Sequence, residues 1–129
     1  MPDLPAVVLD SCVLIPSRMR DFLLSLAASG CFRPVWNDVV LAEVAHQERG
    51  RHEKFGTSTT KARQIAADLI KHMTEAFDDS MISGWEHLDG TFGLPDPHDE
   101  HIVATAIIAH QNCVGLTCVG LTGFEPATP

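Results

Sequence analysis

The chain has 129 residues, 45% of them hydrophobic and 6% aromatic, with a formal net charge of -8 at pH 7. That length and apolar content suit one domain with a packed α or α/β core and exclude a disordered chain. The negative charge excludes a sequence-independent nucleic-acid coat, leaving local basic patches or metal ions to receive a phosphate, and it invites a basic protein partner.

No apolar run approaches the roughly 18 residues that cross a bilayer, and Asp3 without a basic n-region does not make a secretory signal. The four cysteines form no CxxC pair, which suits thiols in a reducing compartment better than a disulfide framework. A cytoplasmic protein without a membrane partner is expected.

Ala6-Val7-Val8-Leu9 is an apolar, β-branched run that stops at Asp10. This is the pattern of a buried parallel strand with an acid at its carboxyl end, where ligand sites of open α/β sheets lie. Met19, Phe22, Leu23, Leu26 and Ala27 then mark a helical stripe over residues 18–29, stopped by Gly30. Residues 31–36 read as a short extended piece because Arg33 precedes a proline, and Asn37 can cap a helix carrying Val40, Leu41, Val44 and Ala45. Glu43 stands at the edge of that stripe, and its position alone suits a solvent-facing glutamate as well as an inward one.

Residues 47–57 are polar and read as a mobile connection or frayed helical end, in which Arg49, Arg51 and Lys54 are balanced by Glu48 and Glu53. Thr59 or Thr60 caps a helix with Ala62, Ile65, Ala66, Leu69, Ile70, Met73, Ala76 and Phe77 at helical spacing. Residues 81–85 suggest a short strand, and residues 90–95 a loop. In Asp96-Pro97-His98-Asp99, an N-cap followed by Pro opens a helix whose apolar face carries Val103 and Ala106. Counting back by helical turns puts Asp99 and Asp96 on that inward side. Helix capping alone also accounts for such a pair, because acids are favoured in a first turn.

Residues 113–117 are repeated without a gap as 118–122, and residues 123–129 have the composition of a loose terminus. The division expected is one domain over residues 1–117 with an atypical tail over residues 118–129.

Asp10, Glu43, Asp96 and Asp99 thus form one candidate set. Several carboxylates gathered in a core are penalised by desolvation and mutual repulsion unless a cation neutralises them, and hard oxygen donors select Mg²⁺ or Mn²⁺. His98 and His101 offer a zinc alternative, but their spacing and the absence of a distant matching His argue against it.

The segments VVLDSCVLIPSRMRDFLLSLA, FRPVWNDVVLAEV and LPDPHDEHIVATAIIA together resemble the PIN-domain family of metal-dependent ribonucleases, known as the VapC-like toxins of type II toxin-antitoxin pairs. The resemblance covers roughly residues 6 to 112. It implies a three-layer α/β/α domain with a central, mostly parallel sheet, and an acidic pocket holding one or two Mg²⁺ or Mn²⁺ ions. It also implies hydrolysis of RNA phosphodiesters by a metal-activated water. Asp10, Glu43 and Asp99 match the three main acids and Asp96 an additional one, so these four are the expected metal ligands and catalytic residues. A small antitoxin protein and a second copy of the chain are the implied partners. Relatives carry an Asp or Asn shortly after a C-terminal Thr, whereas Cys118 follows Thr117 here. The alternative is therefore a catalytically disabled relative that only binds an antitoxin or RNA.

Overall fold

A computed structural model of the chain describes residues 4–112 and 117–119. The first strand, β1 (Ala6–Leu9), has the bounds expected from its apolar run, and three of its four side chains are buried. It is hydrogen-bonded on both sides by parallel neighbours, β2 (Arg33–Val35) and β3 (Thr117–Val119), in the order β2-β1-β3. Val7 is opposite Pro34 in one ladder and Thr117 in the other. The central place of β1 explains its unbroken hydrophobicity, since both edges are paired and only Val7 is partly exposed.

Five α-helices surround this sheet: α1 (Ser11–Leu14), α2 (Ser17–Ala28), α3 (Asp38–Lys54), α4 (Thr59–Ala76) and α5 (Glu100–Asn112). Short 3-10 turns at Glu86–Leu88 and Pro97–Asp99 precede α5. The expected fold class is corrected here. The described chain is mostly helical, and strands of four, three and three residues are too slight to form the central layer of a three-layer α/β/α sandwich. Part of the reason lies at residues 81–85, expected to be a strand: Met81 makes only an isolated bridge to Trp36. The long α3 and α4, folded back on each other across a short turn at Gly56 (φ +93°), bury area that further strands would otherwise cover.

The core gathers Val8, Leu9, Leu14, Val35, Trp36, Val40, Val44 and Ile102, with Phe77 set edge-on to Trp36 at a centroid distance of 6.0 Å. Residues 47–54, expected as a connection or frayed end, are instead the second half of α3. Pairs three and four apart hold this polar stretch helical: Arg51 to Glu48 at 2.7 Å, His52 to Glu48 at 3.1 Å and Arg49 to Glu53 at 2.9 Å. The cap of α4 is Ser58 rather than either threonine, its Oγ accepting from the Lys61 N–H.

On α2 the apolar stripe is not uniformly inward, since Met19 and Phe22 are 47% and 60% exposed while Arg20 is buried. The Arg20 guanidinium donates to the carbonyls of Leu14 at 3.1 Å and Ile15 at 3.4 Å, satisfying the end of α1, and faces Glu48 Oε2 at 3.9 Å. Burial alone would push the Glu48 carboxyl up. Hydrogen bonds from Arg51 and His52, with the charges of Arg51 and Arg20, outweigh it and hold the group below the usual carboxylate range. Of the atypical tail expected over residues 118–129, Cys118 and Val119 belong to β3, and residues 120–129 lie outside the described residues.

Candidate acidic site at the end of the central strand

The strand-to-helix turn at residues 9–11 creates the site. Asp10 leaves β1 in extended conformation and caps α1, its Oδ1 accepting from the Ser11 N–H at 2.6 Å. The Ser11 hydroxyl lies 3.3 Å from the same oxygen and donates to Glu43 Oε2, reaching across from α3. Asp10 and Ser11 are buried, whereas Glu43 is exposed and enters the site through that single hydroxyl. The Cys12 thiol donates to Asp10 Oδ2 at 3.7 Å.

From the other side comes the start of α5. Partial burial, then the negative charges of Asp96 and Asp10, push the Asp99 carboxyl above its ordinary range, and His101 and His98 offset only part of this. Asp10 thus meets Ser11 through hydrogen bonds and Asp99 through its charge. Asp96 departs from expectation. It is exposed rather than inward, and its Oδ1 accepts from the His98 N–H at 2.9 Å. Its contact is that of a helix cap, while its charge still reaches Asp99.

The donor set is chemically suited to a hard divalent cation, being carboxylate and hydroxyl oxygens with uncompensated negative charge between Asp10, Asp96 and Asp99. Among the described residues no group of three or more His, Cys, Asp or Glu side chains already stands at ligating distances. Asp10 and Asp99 are the residues that would hold such an ion, with Asp96 and Glu43 drawn in as further ligands.

Two residues that support the site escaped the reading of the sequence. Asn37 does cap α3, as expected, accepting from the Val40 N–H at 2.8 Å. It is also fully buried, and its Nδ2 donates to Thr105 Oγ1 at 2.8 Å and lies 3.0 Å from His101 Nδ1. With its carbonyl fixed by the cap, the amide can only donate to the ring, which places the His101 proton on Nε2. This occupies one nitrogen of the imidazole that a zinc site would call upon. Glu100 is buried and accepts from the Phe92 N–H at 2.9 Å, tying the loop over residues 90–95 to the first turn of α5. Spacing identified neither role, because a capping asparagine and a first-turn acid look the same whether or not they reach a third element.

Removing Asn37 therefore loosens α3 and α5 together. Asn37→Ala is expected to cost about 2 kcal/mol in urea unfolding, from one lost cap and one lost buried bond. A cost below about 0.5 kcal/mol would mean that Asn37 is only a surface-like cap.

Among the described residues no helix is long and apolar enough to cross a membrane. No family model, curated protein or solved structure matches the chain.

Proposed function

We propose that this chain is a divalent-metal-dependent endoribonuclease, of the kind that the PIN-domain resemblance implies, acting as the toxin of a toxin-antitoxin pair. The observation that carries the reading is the gathering of Asp10, the Ser11–Glu43 pair and Asp99 at the carboxyl end of the central strand, where Asp99 is pushed up first by partial burial and then by neighbouring acids. Bound Mg²⁺ or Mn²⁺ would acidify a water and neutralise charge on the phosphate. Asp10, fixed by the Ser11 N–H, supplies a carboxylate whose direction is set before substrate arrives. Ser11 holds Glu43 against the site from α3. Asp99 brings a second carboxylate from α5 toward the same ion, which would relieve its repulsion with Asp96 and Asp10.

The partners follow from the surface. Met19 and Phe22 on α2 offer exposed apolar area for a small antitoxin or a second copy of the chain, and the acidic pocket suits an Arg or Lys from that antitoxin. A binding protein without hydrolysis is the second reading, favoured by the lack of a ready-gathered ligand trio among the described residues.

Titrating Mg²⁺ and Mn²⁺ into the purified protein with an RNA pool separates the two. Cleavage that rises with metal and disappears in Asp10→Asn, which keeps the cap acceptor and the volume, supports the enzyme. A folded wild type that leaves RNA intact at every metal concentration rejects it.

A further inference from the structure

The positive charge of this acidic chain is concentrated in one place. Five of its nine Lys and Arg residues, namely Arg49, Arg51, Lys54, Lys61 and Arg63, fall within residues 49–63, where Glu53 is the one acid. Glu48 neutralises Arg51 at 2.7 Å and Glu53 pairs with Arg49 at 2.9 Å, which leaves the charges of Lys54, Lys61 and Arg63 in excess at this corner. At the tip of the α3–α4 corner Phe55 is 78% exposed. A basic surface with an exposed ring is the pairing that single-stranded nucleic acid recognises, through phosphates and base stacking.

Two grooves that share His46 lie along α3 between this corner and the acidic site. The first, of about 390 Å³, runs past Ile15, Glu43, His46 and Gln47. The second, of about 280 Å³, passes His46, Arg49 and Arg63 over a floor of alanines. His46 lines both, so the two grooves meet at one side chain, with Glu43, the acid held by Ser11, on one side of it and a pair of arginines on facing helices on the other. Six residues of α3 separate Glu43 from Arg49, about 9 Å along the helix axis. The bond from Arg49 Nε to Glu53 Oε1 orients that guanidinium at the groove edge.

We propose that the surface along α3, from Glu43 to the groove it forms with α4, is a binding track for the backbone of single-stranded RNA, with Arg49 and Arg63 holding a phosphate adjacent to the one at Asp10 and Asp99. The track takes its direction from the ribonuclease reading, but binding to it does not depend on hydrolysis. Local charge of this kind is what an acidic protein needs in order to accept a polyanion, because its net field repels one at a distance.

The test is fluorescence anisotropy of a short labelled oligouridylate in EDTA, where no metal-dependent cleavage intervenes, across a range of salt. The wild type should bind with strong salt dependence. Arg49→Gln/Arg63→Gln should bind about tenfold or more weakly at low salt. Its log-log salt slope should be shallower by about 0.7 for each phosphate that is no longer neutralised. Lys71→Gln, on the distal part of α4 where Lys71 faces Glu75 at 4.0 Å, should leave both unchanged. Melting temperatures of the variants should stay within a few degrees of the wild type, since Arg63 and Lys71 are exposed and Arg49 gives up one partly exposed i,i+4 pair with Glu53.

Unchanged affinity and slope in the double variant, or no RNA binding by the wild type, overturns the track. Competition by polyglutamate as effective as by RNA also overturns it, by assigning the corner to an acidic protein. Cleavage assays keep the two readings apart. A chain that does not hydrolyse RNA yet loses binding in the double variant retains the track without the enzyme. One that cleaves RNA with KM unaltered in the double variant retains the enzyme without the track.

Discussion

Asp99→Asn should lower metal-dependent RNA cleavage by about a hundredfold to a thousandfold, the scale of losing one charged group aimed at the reacting centre. At the same time it should raise the melting temperature of the metal-free protein at neutral pH. The two effects share one cause. In the folded chain Asp99 binds its proton more tightly than in the unfolded chain, first through partial burial and then through Asp96 and Asp10. Its ionisation therefore works against the fold. This destabilisation is absent below the unfolded pKa, where both states carry the proton. It grows as pH rises and is complete above the folded pKa. Asparagine removes it, so the gain in melting temperature should be present near pH 7 and vanish near pH 3. Mg²⁺ or Mn²⁺ should stabilise the wild type more than the variant, because a cation that binds only the folded state needs that carboxylate. A fall in melting temperature at neutral pH in EDTA would show that Asp99 supports the fold rather than the chemistry.

Glu48→Ala should be the most destabilising single change outside the site, at about 3–5 kcal/mol near neutral pH, because it leaves Arg20 as an uncompensated buried cation. The side chains of Arg20 and Glu48 are 7% and 8% exposed, so water cannot replace the missing partner. Arg51 is half exposed and contributes less to the total than its short distance to Glu48 implies. The Glu48 carboxyl is held below its usual range, so its stabilisation is present above the unfolded pKa and lost as pH falls through the folded one. The gap between wild type and variant should accordingly close in acid. Arg20→Met/Glu48→Leu should cost less than Glu48→Ala alone, since an apolar pair leaves no charge stranded. Urea unfolding of the single and double variants gives the coupling directly, and additive losses would show that the ion pair does not hold α2 against α3.

The elements visible in the sequence were those whose pattern is local. Ala6–Leu9, the cap at Asn37, the α4 stripe and the Asp96-Pro97 helix start all declare themselves within a few residues, and each forms. What could not be read was set by contacts across the chain. Arg20 takes a core position on α2 because it closes α1 and meets Glu48, a partner invisible to periodicity. The polar residues 47–54 stay helical because Glu48 is anchored inside, where composition alone describes a loop. The fold class missed in the same way: strand-like composition at residues 81–85 yields one bridge, and the sheet stays small. At the site, Asp10 sits where a strand-end acid was expected. Asp96 instead faces solvent, as the capping explanation of its position requires.

The ladder between β1 and β3 bears on how the protein comes to be built. Val7, Val8 and Leu9 pair with residues 117–119, close to the opposite extreme of the described chain. Emerging from the ribosome, the first strand presents an open edge through the synthesis of every helix, with only β2 able to cover its other side. Pairings so remote in sequence close late, after local helices have formed and much of the loop entropy has been spent. Asp10 is the residue that follows this strand, so the backbone from which it projects is expected to gain its second ladder after the helices have formed. A chain truncated before residue 117 would keep the local bond from Ser11 to Asp10 but lose one of the two ladders that hold the strand before it.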